Sequence, residues 1–203
     1  MKTPFGQRSP RGLSRRTALA ASGAIAAGAL WPAFASAQAR PSRPAPPEVG
    51  VELPGARLLG QGRLTYMSFG VYRARLWVGD GFEPAQFERH PLALELIYER
   101  SLSGKLIAER SLDEMKRAGA VDPGQGARWL SLMKELFPDV RDGDRVTGVQ
   151  RPGQSVAFFV NGRASGELRD ADFARRFFSI WLAPSSSEPR LREQLLGSAP
   201  AAA

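Results

Sequence analysis

Residues Ser155 to Leu168 read SVAFFVNGRASGEL. The pair Asn161-Gly162 divides two short runs, and Asn-Gly between strands is the strongest short hairpin signal, because both turn residues need positive φ. Ser155–Val160 and Arg163–Leu168 are therefore read as antiparallel neighbours. One step upstream, Arg151-Pro152-Gly153-Gln154 is a second turn and Arg145–Gln150 a third strand. One step downstream, Asp170 or Asp172 caps a helix whose Phe173, Phe177, Ile180 and Trp181 form one stripe. A Ser/Pro loop over Ser185 to Pro189 then leads to a short helix ending Leu195-Leu196-Gly197.

Further upstream the period changes from two to 3.6. Pro123 to Leu136 reads as a helix with Trp129, Leu130, Met133, Leu136 and Phe137 on one face, ended by Pro138. Ser103 offers an N-cap for another helix through Lys116, with Gly119 at its end. Leu106, Ile107, Met115 and Ala118 supply its buried stripe, in a register that breaks around Ser111. Leu92 to Arg100 is a strand, apolar on both parities. From Leu58 onward a long ribbon alternates: Leu64, Tyr66, Ser68, Gly70, Tyr72, Ala74, Leu76 and Val78 share one face, and beyond Gly70 the other face holds arginines. The first set faces the core, and Gly70 marks a bulge or bend. Strands joined by tight turns, with helices grouped between and after them, predict an α+β fold: an antiparallel sheet covered on one face by helices.

The segments outside this core divide the 203-residue chain. Residues 1–39 read as a signal peptide, with Arg15 and Arg16 before the mild apolar run Ala18 to Trp31 and small residues at Ala35-Ser36-Ala37 or Ala37-Gln38-Ala39. The arginine pair fits a twin-arginine export signal, an ordinary secretory signal being the alternative. The run is too short and too weakly apolar for a stable membrane span, so the mature protein is expected in the periplasm. Residues 40–57 carry Pro41, Pro44, Pro46, Pro47 and Pro54 and are read as a flexible lead-in that forms no helix. The domain is expected over 58–197, with 198–203 a disordered tail.

Composition excludes several chemistries. There is no cysteine and one histidine, which removes disulfides, thiolate metal sites and multi-histidine metal sites. Of the +8 net charge, residues 1–39 supply five, leaving 23 bases against 20 acids, too even a balance for a nucleic-acid surface. His90, between Arg89 and Pro91, is read as polar surface. Gly60-Gln61-Gly62 leads into a strand and offers no helix N-terminus to a phosphate. Asp139, Asp142 and Asp144 lack the register and terminal glutamate of a calcium loop. No metal and no cofactor is expected.

A resemblance extends this reading. Gly60-Gln61-Gly62, Phe69-Gly70-Val71-Tyr72 and Ala74-Arg75-Leu76 resemble the first hairpin of the chalcone isomerase-like family. Gly143-Asp144, Pro152-Gly153, Asn161-Gly162, Gly166-Glu167-Leu168, Phe173-Ala174, Phe178 to Leu182 and Leu191 to Gly197 follow in that family's order and spacing. The resemblance implies an antiparallel sheet with a ligand cleft beneath its helices. It implies divided functions, since some members cyclise chalcones and others bind fatty acids without catalysis. Catalytic members use an arginine and a threonine of the first hairpin, and counting back from Tyr72 places Leu64 and Met67 at those positions. Arg63 is one residue early and faces away unless a bulge near Gly62 re-aims it. Cyclisation needs a cation or strong donors near the developing charge. Leu64 and Met67 supply neither. The expectation is a non-catalytic protein binding a small apolar or acyl ligand, with Leu64, Tyr66, Met67, Ser68 and Tyr72 facing the cleft. The alternatives are a chalcone-type isomerase with another residue set and an interaction module with a packed cleft. The oligomeric state is left open.

Overall fold

The computed structural model describes residues 44–198. The export signal read at Arg15 and Arg16 lies outside them, as do residues 199–203 of the expected tail. Six strands form one antiparallel sheet in the order of the chain: β1 Arg57–Tyr66, β2 Phe69–Val78, β3 Leu92–Tyr98, β4 Arg145–Arg151, β5 Ser155–Val160 and β6 Arg163–Leu168. Helices α2 (Gly104–Arg117) and α3 (Pro123–Leu136) form the long connection from β3 to its neighbour β4, and α4 (Ala171–Leu182) and α5 (Pro189–Leu195) follow β6. This is the expected α+β architecture. Ala74, Leu76 and Val78 of β2, Leu92, Leu94 and Leu96 of β3, and Val156 and Phe158 of β5 pack against these helices in one core. Within it Trp129 meets Phe173 edge-on, while Phe158, Phe173 and Phe177 pack ring against ring.

The Asn161-Gly162 turn forms as read, with φ of 50° and 82°. A Cβ at Gly162 meets only ordinary neighbours, the Arg145 and Glu48 side chains at 3.4 and 3.5 Å, so the constraint is the backbone conformation. Gly162→Val should therefore cost more than ~1 kcal/mol, because a β-branched residue is strained at positive φ. Urea unfolding of both proteins measures it, and an unchanged midpoint sinks the claim. Asp170 caps α4, its carboxylate accepting from the N–H groups of Asp172 and Phe173 at 3.0 Å each.

Three expectations need correction. The lead-in does form a helix, α1 (Pro47–Glu52), on the opposite face of the sheet. Val49 and Leu53 bury against Trp77, Ala93 and Val149 there. Glu48 takes two bonds from Arg145, at 3.0 and 3.2 Å, and one from the Thr147 hydroxyl at 2.9 Å. Proline at the first helical position is compatible with a helix, and these tertiary contacts, invisible in a proline-rich string, stabilise it.

The ribbon from Leu58 is not one strand either. It reverses at Met67-Ser68, where both residues have positive φ (50° and 69°), a turn the sequence does not mark because neither residue is glycine or asparagine. The anticipated irregularity near Gly70 is real: Leu64 pairs with Tyr72 and Thr65 with Gly70, leaving Val71 as the extra residue. A Cβ at Gly70 would lie 2.0 Å from a Glu99 carboxylate oxygen and 2.5 Å from Arg63 Nη2, so a side chain there would displace that ion pair.

The third correction concerns α2, whose buried positions are Gly104, Ala108, Ser111, Leu112, Glu114 and Met115. Leu106 and Ala118 are exposed. Ser103 makes no capping bond with its side chain; the Gly104 N–H donates to Asp139 Oδ1 at 2.9 Å instead.

Candidate functional site

A cavity of about 470 Å³ lies between the sheet and α2 and α4, inside the range of about 300–1,000 Å³ usual for small-molecule pockets. Its floor is the end of the sheet nearest the β1–β2 turn, with Leu64, Val71, Tyr72, Leu96, Tyr98 and Val146. Leu102, Leu106 and Ile107 close one side, and Phe177, Ile180 and Trp181 of α4 close the other. Most of this lining is apolar. The cleft that an interaction module would have packed shut is an open volume.

The polar groups gather from three elements. Tyr72 projects from β2, and its hydroxyl accepts a hydrogen bond from Trp181 Nε1 at 2.9 Å. Burial pushes the Tyr72 phenol above its ordinary pKa; the Trp181 bond opposes this, and the carboxylates of Glu188 and Glu114 reinforce it. The phenol therefore stays protonated and keeps its own hydrogen for a further acceptor. Tyr98 meets Tyr72 edge-on at 5.9 Å, and burial raises its phenol in the same way. From α2 come Arg110, Ser111 and Glu114, and from the loop before α5 come Ser187 and Glu188. Ser111 is already spent on the Ile107 carbonyl at 2.8 Å. Glu114 is buried, with Arg110 Nη2 2.5 Å from its Oε1. No N–H is aimed along that line, so Oε1 has charge compensation but no hydrogen bond.

The cleft residues anticipated from sequence divide in two. Leu64, Tyr66 and Tyr72 line the cavity. Met67 and Ser68 do not: they form the reversing turn, and Met67 is 76% exposed. The parity count runs through the turn as though it were strand, and a turn breaks the alternation. Thr65 and Val71 take part instead, beside the bulge.

Arg63 is not re-aimed. The irregularities of β1–β2 fall at Leu58/Gly60 and Leu64/Thr65, and Arg63 pairs in register with Arg73. Its Nε donates to Glu99 Oε2 at 2.6 Å, while Arg73 Nε donates to Glu99 Oε1 at 2.7 Å. Burial works the other way, but these two guanidinium bonds hold the Glu99 carboxyl below its usual pKa.

Sequence reasoning missed the α2 contribution, Arg110 and Glu114. The break in the apolar stripe at Ser111 was the available signal, since a core helix with a polar gap on its buried face is facing something other than packed side chains. His90 lies away from the cavity, edge-on to Phe82 at 5.7 Å. Among the described residues no group of three or more His, Asp or Glu side chains could hold a metal ion, and no helix is long and apolar enough to cross a membrane.

Known proteins resemble this chain in sequence and fold. A protein of Haemophilus influenzae, described only as uncharacterized, is 32% identical over 139 residues, covering 68% of this chain and 67% of its own. The crystal structure of an Arabidopsis thaliana fatty-acid binding protein superposes with a TM-score of 0.55 at 14% identity, over 71% of this chain and 88% of that one, a likeness of fold. The family model described as chalcone isomerase-like matches residues 52–197, from the end of α1 through the glycine that follows α5. With its six-stranded meander, its roof of helices and the cleft between them, the chain belongs to the chalcone isomerase-like family.

Proposed function

We propose that this is an exported, non-catalytic member of its family that holds a small apolar or acyl ligand in the cavity beneath α2 and α4. The observation that carries this reading is the mostly apolar cavity with Leu64, not arginine, on its floor and Arg63 turned to the opposite face. An apolar ligand gains about 25 cal/mol for each Å² it removes from water, so such walls favour hydrocarbon over a polar substrate. The Arabidopsis neighbour being a fatty-acid binding protein supports an acyl chain as the ligand.

The test is titration with the uncharged fluorophore phenylnaphthylamine. The parent should bind with enhanced fluorescence. Leu64→Arg should weaken binding at least about tenfold, because it places an unpaired guanidinium among apolar groups. Equal binding by parent and variant defeats the assignment of the cavity. Chalcone cyclisation should not exceed the spontaneous rate.

One observation favours a second reading, a chalcone-type isomerase with another residue set. Arg110 and the protonated Tyr72 bring a cation and a donor to the cavity from positions other than those the family's catalytic members use. Stereoselective chalcone turnover lost in Arg110→Ala would establish it.

Export rests on the sequence of residues 1–39. Arg15→Lys combined with Arg16→Lys should block appearance of a tagged protein in the periplasm, since the twin-arginine receptor reads the guanidinium pair. Normal periplasmic levels in that variant point to the general secretory route.

A further inference from the structure

Five large hydrophobic side chains are exposed among the described residues; three of them sit together on one hairpin tip, and a fourth lines the same cavity as one of those three. Tyr66 (67% exposed), Met67 (76%) and Phe69 (69%) make the tip of the β1–β2 hairpin. Leu106 (61%), on α2, lines the cavity together with Tyr66. Scattered exposed hydrophobics need no explanation, but a cluster at a cavity mouth does.

The turn adds an independent observation. Met67 and Ser68 occupy two successive positive-φ positions, where asparagine and glycine sit at lower cost. At the opposite edge of the sheet this same chain uses Asn161-Gly162 for that purpose. Stability alone does not account for a strained methionine held out in solvent.

The charges around the tip have a consistent arrangement. Arg63 and Arg73 on the outer face of the hairpin are 55% and 64% exposed, above a Glu99 that is 15% exposed. On α2, Arg110 is 70% exposed above a Glu114 that is 7% exposed, and Lys105 is exposed beside Leu106. Glu188 is the one exposed acid lining the cavity. The cations thus face outward and the acids they pair with lie beneath them. Aromatic and aliphatic side chains flanked by outward cations on the hairpin and on α2 fit the interface of an anionic lipid bilayer, where the apolar groups enter the headgroup region and the guanidinium groups meet phosphates.

We infer that the β1–β2 hairpin tip docks this protein on an anionic bilayer surface, with the cavity mouth turned toward the lipid. The inference rests on the proposed binding of an apolar ligand only for its purpose, since a ligand of low water solubility would then pass between bilayer and cavity without crossing water.

The experiment is sedimentation of the full chain with vesicles of phosphatidylglycerol and of phosphatidylcholine, for the parent and for Met67→Asp combined with Phe69→Asp. Neither residue lines the cavity, and the N-terminal segment is the same in both proteins. The parent should partition to phosphatidylglycerol vesicles and lose partition as salt rises. The double variant should partition at least about tenfold less, because two apolar side chains no longer leave water and two carboxylates face lipid phosphates. Circular dichroism and phenylnaphthylamine binding should match the parent, which separates a failed tip from a failed fold. Equal partition of both proteins overturns the inference. So does indifference to lipid charge, or a parent dimer that the variant lacks, which would assign the tip to a second copy of this chain. Parent vesicle binding without phenylnaphthylamine binding leaves the docking surface standing and removes the cavity reading. The reverse result removes the docking surface alone.

Discussion

Gly104→Ala is expected to destabilise the domain by at least about 2 kcal/mol, although glycine to alanine in a helix is ordinarily favourable by up to ~1 kcal/mol. Steric overlap decides the sign. A Cβ on Gly104 would lie 2.1 Å from the Phe137 carbonyl oxygen and 2.7 Å from the Pro138 carbonyl carbon, and these are backbone atoms that cannot swing aside. The two segments are also clamped on both sides of the contact. Leu102 and Val140 exchange N–H to carbonyl bonds of 3.0 and 2.9 Å, and the Gly104 N–H donates to Asp139 at 2.9 Å. Relieving the overlap therefore means breaking those bonds or lifting the start of α2. Because Leu106, Ile107 and Arg110 ride on that first stretch of α2, phenylnaphthylamine binding should weaken along with the unfolding midpoint. A midpoint equal to or above that of the parent would show that the approach of α2 to the Phe137-Pro138 segment is looser than described.

Phe177→Ala should cost about 3–5 kcal/mol. Its ring is 6% exposed and sits 5.3 to 5.5 Å from the rings of Phe158, Phe173, Phe178 and Trp181, so removal leaves a void bounded by aromatic faces that cannot collapse together. The same ring is part of the cavity wall, so the void opens into the ligand space. Phe177→Leu should recover most of the loss, since it restores apolar volume without the ring edges. Urea midpoints for the three proteins measure this, and a loss below about 1 kcal/mol in Phe177→Ala would mean that the cluster repacks.

The sequence by itself determined the features that depend on near neighbours. Asn161-Gly162 forces its turn because two adjacent residues must adopt positive φ. Asp170 caps α4 and Pro123 begins α3 because a helix end is satisfied within its own first turn. The alternation of Tyr72, Ala74, Leu76 and Val78 placed one face of β2 toward the helices. From this much, the antiparallel sheet, its helical cover and the cavity-facing side of Tyr72 could be read.

What only the tertiary structure decided involves groups far apart in the chain. Whether Pro47–Glu52 is helical depends on Arg145 and Thr147, nearly a hundred residues away, which hold Glu48. Whether Arg63 enters the cleft depends on Glu99, which draws it with Arg73 to the other face. Met67 and Ser68 left the cleft because strand pairing reverses the chain at two residues with no preference for doing so. Arg110 and Glu114 joined it because α2 packs with its polar gap on the cavity and not on apolar core. A periodicity tells which residues share a face, but the partner that face meets is set by packing across the whole chain, and so was the lining of this cavity.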